Sequence, residues 1–476
     1  MQKKLLSGLF WVLLANLIVK PFWLLGVEVG VQNAVGNDMY GFYISIFNLS
    51  YILNILLDLG LTNFNTRNIA QHPQLISKHL PHILGVKLCL LGLYLLVAFT
   101  VGAMMGYGSR EFRLLAWLCA AQALNSLILY LRSNFEGLLM FRWDSLFSVL
   151  DRLLMIVICG LLLWGPASGS FTIYSFVYAQ VAAYACTALL ALWVIGRKTG
   201  LQRLRWNWRF FAAVLKKSAP FALLVLLMAS YNRIDPILLR SMSNDAEAGV
   251  YAGAFRLLDA LTMIVYLVSV PLLPVYARLS KDGNSTEIAT ITHLVFPAMM
   301  VFSVGAATSF SATADILMPL LYPGHADPYI PVFKILVFGI IPIGTTYIFG
   351  TLLTAGGHLK QLNLFAAVSL VLNVLVNIML IPRFGATGSA WASMTAQCFI
   401  ALAQLLLAAR IFRLPLRVFC FAQLIVFTGI MILVNYLAAS CEWTWLRLAL
   451  PIAIAVLTAL LLRLIDVKKI LLGLKA

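Results

Sequence analysis

Fourteen apolar stretches divide this chain, at roughly 5–30, 41–60, 82–106, 113–133, 145–165, 171–195, 218–241, 249–276, 288–311, 329–355, 361–381, 386–409, 418–439 and 445–463. Each is close to the length of about 20 residues that a helix needs to cross a bilayer core. Inside that core no water satisfies backbone amides, so only helices and closed barrels can span it. The stretches are continuously apolar and lack the period-two alternation of barrel strands, which predicts helices. Composition agrees: 62% of the 476 residues are hydrophobic and 11% are charged, against about 25% charged in a soluble domain. The expected fold class is an all-α polytopic membrane protein of about 14 transmembrane helices.

A net charge of +17 raises the question of nucleic acid. The placement of the charges answers it. With the N-terminus in the cytoplasm, 23 of the 34 Lys and Arg fall in cytoplasmic segments, 5 in outer segments and 6 within spans. That asymmetry is the positive-inside pattern. It predicts both termini inside, an even number of spans, and no nucleic-acid partner. Six of the seven cysteines lie inside apolar segments, and no Cys/His spacing suggests a metal. Lys3 and Lys4 precede an apolar run without a small-residue cleavage site, so the first stretch reads as a retained helix. No GxxxxGK[ST] loop is present, so a nucleotide-driven pump is not expected.

The chain reads as two halves. Gly41-Phe42-Tyr43 opens the second stretch and Gly249-Val250-Tyr251 opens the eighth, 208 positions later. Phe47 then matches Phe255, Asn48 matches Arg256 and Tyr51 matches Asp259. Six spans per half make the repeat parallel, with a pseudo-twofold along the membrane normal. The predicted organisation is an N-lobe over 1–195, a basic linker over 196–217, a C-lobe over 218–409, and spans thirteen and fourteen with a tail over 410–476. The linker carries Trp206, Trp208, Phe210 and Phe211 among Arg and Lys, which suits either a segment lying on the inner leaflet or an ordinary basic loop.

Met228 to Leu261 is the most chemically loaded part of this apolar chain, with Arg233, Asp235, Arg256 and Asp259. A charge deep in a bilayer costs about 2.5–3.5 kcal/mol on insertion scales, so such groups face protein or a wet cavity. Pro236 follows Asp235 and removes a backbone donor, which opens the helix locally. Lys20 and Arg233 each stand 15 residues into their spans, roughly 22 Å from the inner face. Arg256 and Asp259 are spaced i, i+3 and share a face. Two readings stay open: ion pairs that hold helices together, or cations lining a cavity for an anionic cargo. Other polar groups have blander expectations. Lys87 and Lys334 lie near span ends and are expected to snorkel. Asp58 is expected to pair with Arg67 or cap a helix, Asp151 and Arg152 to pair or to lie at the interface, and Gln122/Asn125 and Asn373/Asn377 to form interhelical hydrogen bonds, with sugar-hydroxyl contacts as the alternative. Pro21, Pro271, Pro274 and Pro342 are candidate kinks.

Leu57-Asp58-Leu59-Gly60-Leu61, Thr66-Arg67-Asn68-Ile69-Ala70, and the set Tyr231, Arg233-Ile234-Asp235, Gly249, Tyr251, Ala254 and Asp259 resemble the multidrug/oligosaccharidyl-lipid/polysaccharide (MOP) exporter superfamily, in particular its bacterial polysaccharide flippases. The resemblance extends over the whole chain in length, span number and two-halves layout. It implies two six-helix lobes in a V around a central cavity, alternating access, walls from spans one, two, seven and eight, and a bacterial inner-membrane location. It also implies an isoprenoid-diphosphate-linked oligosaccharide as cargo, and other polysaccharide assembly proteins as partners of a monomer. On that reading Lys20, Arg233 and Arg256 attract the diphosphate, since a guanidinium fork matches phosphate oxygens. Asp235 and Asp259 then balance charge or carry a coupling proton. No cofactor is expected; a proton or sodium gradient is the candidate energy source. The rival functions are an ion-coupled multidrug or cation antiporter of the same superfamily, a peptidoglycan-precursor (lipid II) flippase, and a membrane glycosyltransferase or polymerase.

Overall fold

A computed structural model describes residues 19, 21–62, 65–66, 69, 74, 76–138, 140–165, 171–199, 222–269, 271–414, 418–439, 444–462 and 464. Among the described residues the secondary structure is helical throughout, with no strand. Nine described helices are long and apolar enough to cross a membrane. Two of the nine break at a glycine. Gly36 (φ 78°, ψ 168°) interrupts Val29–Leu53 and Gly385 (φ 53°, ψ −131°) interrupts Leu359–Ile411. Such backbone is open essentially to glycine alone, and it separates stretch one from two and eleven from twelve. At the second corner a Cβ on Gly388 would stand 2.6 Å from the Leu380 carbonyl oxygen. Ala222–Arg233 and Asp235–Met242 form a bent pair at 48°, where Pro236 predicts a break. Pro sits at the start of the second piece, where its missing N–H costs nothing. With Ala422–Ala438 and Thr444–Leu461, the described helices follow the expected stretches along the chain.

The chain divides into two compact units, Met1–Gly249 and Val250–Ala476. The division falls inside helix Asp245–Ser269. From residue 200 onward, the 196–217 linker lies outside the described residues.

In the first unit, helix Ser109–Gly137 is central. It packs along Ile173–Thr199 and also meets Val29–Leu53, Ile76–Met104 and Phe141–Phe147. Ala121 and Ala188 stand in the contact with Ile173–Thr199, where small side chains let helices approach. Toward the C-terminal end of the central helix, Tyr130, Leu131 and Phe135 pack with Ile83, Phe147 and Ile195.

A polar strip runs beside this apolar contact. Asn54 Nδ2 donates to Gln122 Oε1. Ser126 Oγ donates to the Leu57 carbonyl at 3.2 Å. Asn65 Nδ2 donates to Ser133 Oγ at 2.8 Å and Asn134 Oδ1 at 3.0 Å, and Thr66 Oγ1 to Glu136 Oε2 at 3.2 Å. The partners are 68–70 residues apart throughout, as two segments running parallel in one register require. The expected interhelical role of Gln122 is met here.

Lys87 departs from its expected snorkelling. It is 8% exposed, and its ammonium donates to the Leu57 carbonyl, Asp58 Oδ1 and Ser126 Oγ at 3.1, 3.1 and 2.9 Å. The reason is local backbone. The helix tightens to a 3-10 turn at Asn54–Leu57, then turns through Leu59 (φ 44°) and Gly60 (φ 85°). That break frees a carbonyl inside the protein, and Lys87 satisfies it. Asp58 pairs with Lys87 and also caps the following turn, accepting from the Thr62 amide at 3.3 Å; Arg67 lies outside the described residues. Arg152 Nε stands 3.8 Å from Asp151, and its guanidinium lies over Trp23 and Tyr184 at 5.5 and 5.7 Å.

In the second unit, Ile340–Ala355 packs closely on Leu359–Ile411. Glycine sets the spacing there, since a Cβ on Gly350 would meet Gln404 Oε1 at 2.7 Å; toward Ser285–Ala312, a Cβ on Gly344 would meet Ser303 Oγ at 2.8 Å. Phe427 and Met431 pack with Val301, Val304 and Ala459, so helices Val418–Ala439 and Thr444–Leu461 lie against Ser285–Ala312. Asn377 Nδ2 bonds Asn373 one turn back at 3.0 Å. Lys334 reaches Asp315 at 3.1 Å near the surface.

Candidate functional site

The sequence-predicted residues fall in both units. Arg233 and Asp235 belong to the first, Arg256 and Asp259 to the second; Lys20 lies outside the described residues.

Arg233 closes one helix and Asp235 opens the next, on either side of the 48° bend. Asp235 is fully buried at 0% exposure and sits in the first turn of Asp235–Met242, where the helix dipole favours an anion. Arg233 is half-buried, and its guanidinium carbon lies 5.8 Å from the Tyr51 ring centroid. Tyr51 ends an aromatic run on one face of Val29–Leu53. Tyr43 and Phe47 have centroids 5.6 Å apart; Phe47 and Tyr51 stack at 6.0 Å and 23°. In the second unit Tyr251 and Phe255 stack at 5.9 Å and 13°, at the positions the repeat pairs with Tyr43 and Phe47.

Arg256 is 3% exposed. Its Nη1 donates to the Tyr322 hydroxyl at 2.9 Å, and that hydroxyl donates to the Gly253 carbonyl at 3.1 Å. Tyr322 is itself clamped against Tyr329, centroids 4.1 Å apart and rings 6° from parallel. Asp259, three residues on, is half-buried.

A second charged group, not singled out in the sequence, gathers around Arg240. Its Nη2 donates to Glu111 Oε1 at 2.9 Å and its Nε stands 2.8 Å from Asp245 Oδ1. Glu111 Oε2 accepts from the Gly108 amide at 3.0 Å. Two cations lie over the Phe42 ring, Arg240 at 4.8 Å and Arg110 at 4.5 Å. Burial raises the pKa of the neighbouring Tyr107 hydroxyl, and the Arg240 charge offsets part of that rise. Arg240 reads from sequence as an ordinary outer-loop cation; nothing local marks its partners, which lie 129 and 5 residues away.

The Ser45 hydroxyl lies 2.8 Å from the Gly41 carbonyl and 2.9 Å from that of Pro236. Gln32 Nε2 donates to the Gly249 carbonyl at 2.9 Å. Together they tie Val29–Leu53 to the segment holding the break. Among the described residues no group of three or more His, Cys, Asp or Glu is placed to hold a metal ion.

Residues 5–280 match the family model described as polysaccharide biosynthesis protein. No curated protein matches the chain by sequence. Among solved structures, lipid II flippase MurJ in an inward closed conformation aligns over 94% of this chain and 97% of its own, at 15% identity and a TM-score of 0.67. An inward-facing multidrug resistance MATE transporter of the MOP superfamily aligns over 84% and 94%, at 14% identity and 0.58. A MOP superfamily transporter from Pyrococcus furiosus, described by the reverse polarity of its binding pocket, aligns over 85% and 93%, at 16% identity and 0.57. At these identities the likeness is one of fold.

Proposed function

This chain belongs to the polysaccharide biosynthesis protein family, and on that premise we propose that it flips an isoprenoid-diphosphate-linked oligosaccharide from the inner to the outer leaflet by alternating access. The observation that carries the reading is Arg233. It is a half-buried guanidinium at a break in an apolar helix, set over an aromatic ring. A planar guanidinium fork placed there suits the oxygens of a diphosphate. Asp235, on the other side of the bend in the same unit, balances that charge or carries a coupling proton.

The protein works as a transporter with no catalytic step of its own. It resides in a bacterial inner membrane with both termini in the cytoplasm, and an ion gradient or the cargo gradient drives it. Drug antiport suits this site less well, because Arg233 repels an organic cation.

The test is complementation of a bacterium lacking its own polysaccharide flippase, with surface glycan as readout and membrane insertion as control. Wild-type rescue that is lost in correctly inserted Arg233→Ala supports the reading. Rescue that survives the substitution removes Arg233 from the site. Rescue instead of a strain lacking its lipid II flippase would move the cargo to a peptidoglycan precursor.

A further inference from the structure

Lys87 sits in a cage that the transport reading does not use. The Leu57 carbonyl, Asp58 Oδ1 and Ser126 Oγ surround its ammonium at 3.1, 3.1 and 2.9 Å. A lysine head has three N–H donors and no acceptor, so these three oxygens saturate it. Each oxygen is prepared by the structure around it. The break after Asn54–Leu57 leaves the Leu57 carbonyl off the helical ladder. The Ser126 hydroxyl gives its proton to that same carbonyl at 3.2 Å, which turns its lone pairs toward the ammonium. Thr62 holds the Asp58 carboxylate, donating to one oxygen through its hydroxyl and to the other through its amide. The buried Tyr130 ring, one helical turn on from Ser126, closes a flank 5.6 Å from the nitrogen, within reach of a cation–π contact. An unwound backbone carbonyl beside a carboxylate is how broken helices hold small cations.

We propose that Leu57, Asp58 and Ser126 form a monovalent-cation site whose resident ion is the chain's own Lys87 ammonium. The inference stands apart from the transport reading. One carboxylate balances one positive charge, whereas a divalent ion would leave charge uncompensated in an apolar interior. Oxygens 2.9–3.1 Å from the nitrogen stand too far out to grip sodium. They suit potassium, which is close to an ammonium head in size, and small alkylammonium ions. The tether changes how the site behaves. An ion bound from solution leaves as its concentration falls; an ion on a side chain stays. The first unit therefore keeps its helix break closed at any salt concentration, and it exchanges no cation at this place. A compact lysine head can turn three donors toward converging oxygens, which the planar arginine fork cannot.

The experiment empties the cage and offers it free ions. Lys87→Ala removes the ammonium with its stem and leaves the three oxygens. Thermal unfolding of the full chain in detergent is followed in potassium chloride, in methylammonium chloride, and in tetramethylammonium chloride, whose cation is too large for the cage. Lys87→Ala is expected to unfold below wild type, and to regain part of the loss, saturably, with potassium or methylammonium alone. Wild type is expected to respond alike to all three salts. Lys87→Met refills the stem volume and is expected to show no selective response. Adding Ser126→Ala to Lys87→Ala is expected to raise the ion concentration needed about tenfold, from the loss of one ligand to a charge. Adding Asp58→Asn is expected to abolish the response. Should Lys87→Ala unfold on extraction, protection from protease in native membrane vesicles gives the same comparison. A response of Lys87→Ala that is absent, equal in all salts, or unaffected by Asp58→Asn overturns the site and leaves Lys87 a structural ion pair. A selective response in wild type as large as in Lys87→Ala puts the ion elsewhere and overturns it too.

Discussion

Gly41 and Gly249 meet backbone to backbone in the first unit. A Cβ on Gly41 would lie 2.8 Å from the Gly249 nitrogen and 1.7 Å from the Asp245 carbonyl oxygen; one on Gly249 would lie 2.3 Å from the Asn37 carbonyl oxygen. Each glycine therefore rests on the carbonyl four residues before the other. Asn37 to Asp245 and Gly41 to Gly249 are both steps of 208, so the contact is reciprocal.

Alanine at either glycine is expected to destabilise the protein. The obstructing atoms are backbone and cannot swing aside, so the cost reaches or exceeds the usual overpacking range of about 1–3 kcal/mol. A lower Tm for detergent-solubilised Gly41→Ala and Gly249→Ala, with Gly92→Ala as a control at an open position, checks this. An unchanged Tm in both refutes the close contact.

Lys87→Met is expected to cost about 3–5 kcal/mol, because it leaves Asp58 beside a free carbonyl without its cation. Asp58→Asn in the same chain is expected to recover much of that loss. A double-mutant cycle on thermal stability measures the coupling; additive effects count against the pair.

Arg240 divides its donors between Glu111 and Asp245. A lysine presents one compact charge and lacks the fork. Arg240→Lys is therefore expected to behave closer to Arg240→Ala than to wild type, lowering the Tm measurably. Full retention by lysine would show that charge alone matters there.

Tyr322→Phe removes the hydroxyl that accepts from Arg256 and donates to Gly253. Hydrogen bonds to charged groups contribute about 1.5–3 kcal/mol, and the apolar stack on Tyr329 survives the change. Thermal unfolding is the readout, and Tyr329→Phe serves as a stacking-neutral comparison. A Tm equal to wild type would mean water replaces the hydroxyl.

Much of the fold was legible. Unbroken apolar runs predicted the helices and Pro236 predicted the bend beside Arg233; the Gly41/Gly249 match announced a repeat, and the contact between the two came only with the structure. Lys87 was misread because its partner is a carbonyl freed by a 3-10 break with no proline to announce it. The corners at Gly36 and Gly385 are likewise written in positive φ, which a glycine in an apolar helix permits without advertising. Tyr43, Phe47 and Tyr51 recur at helical spacing, a pattern that reads as core; only the exposure of Tyr51 separates it from its neighbours.

The polar strip along Ser109–Gly137 bears on how this protein tolerates changes in length. Its bonds hold one offset of 68–70 residues from Asn54 to Glu136. One residue inserted between Gln122 and Ser133 would turn everything beyond it by about 100° and advance it by about 1.5 Å. Ser133, Asn134 and Glu136 would then leave Asn65 and Thr66 together. The turn at Met105–Gly108 carries no such register and can absorb extra residues. Insertions and deletions in related chains should therefore gather in that turn and spare the stretch from Gln122 to Glu136.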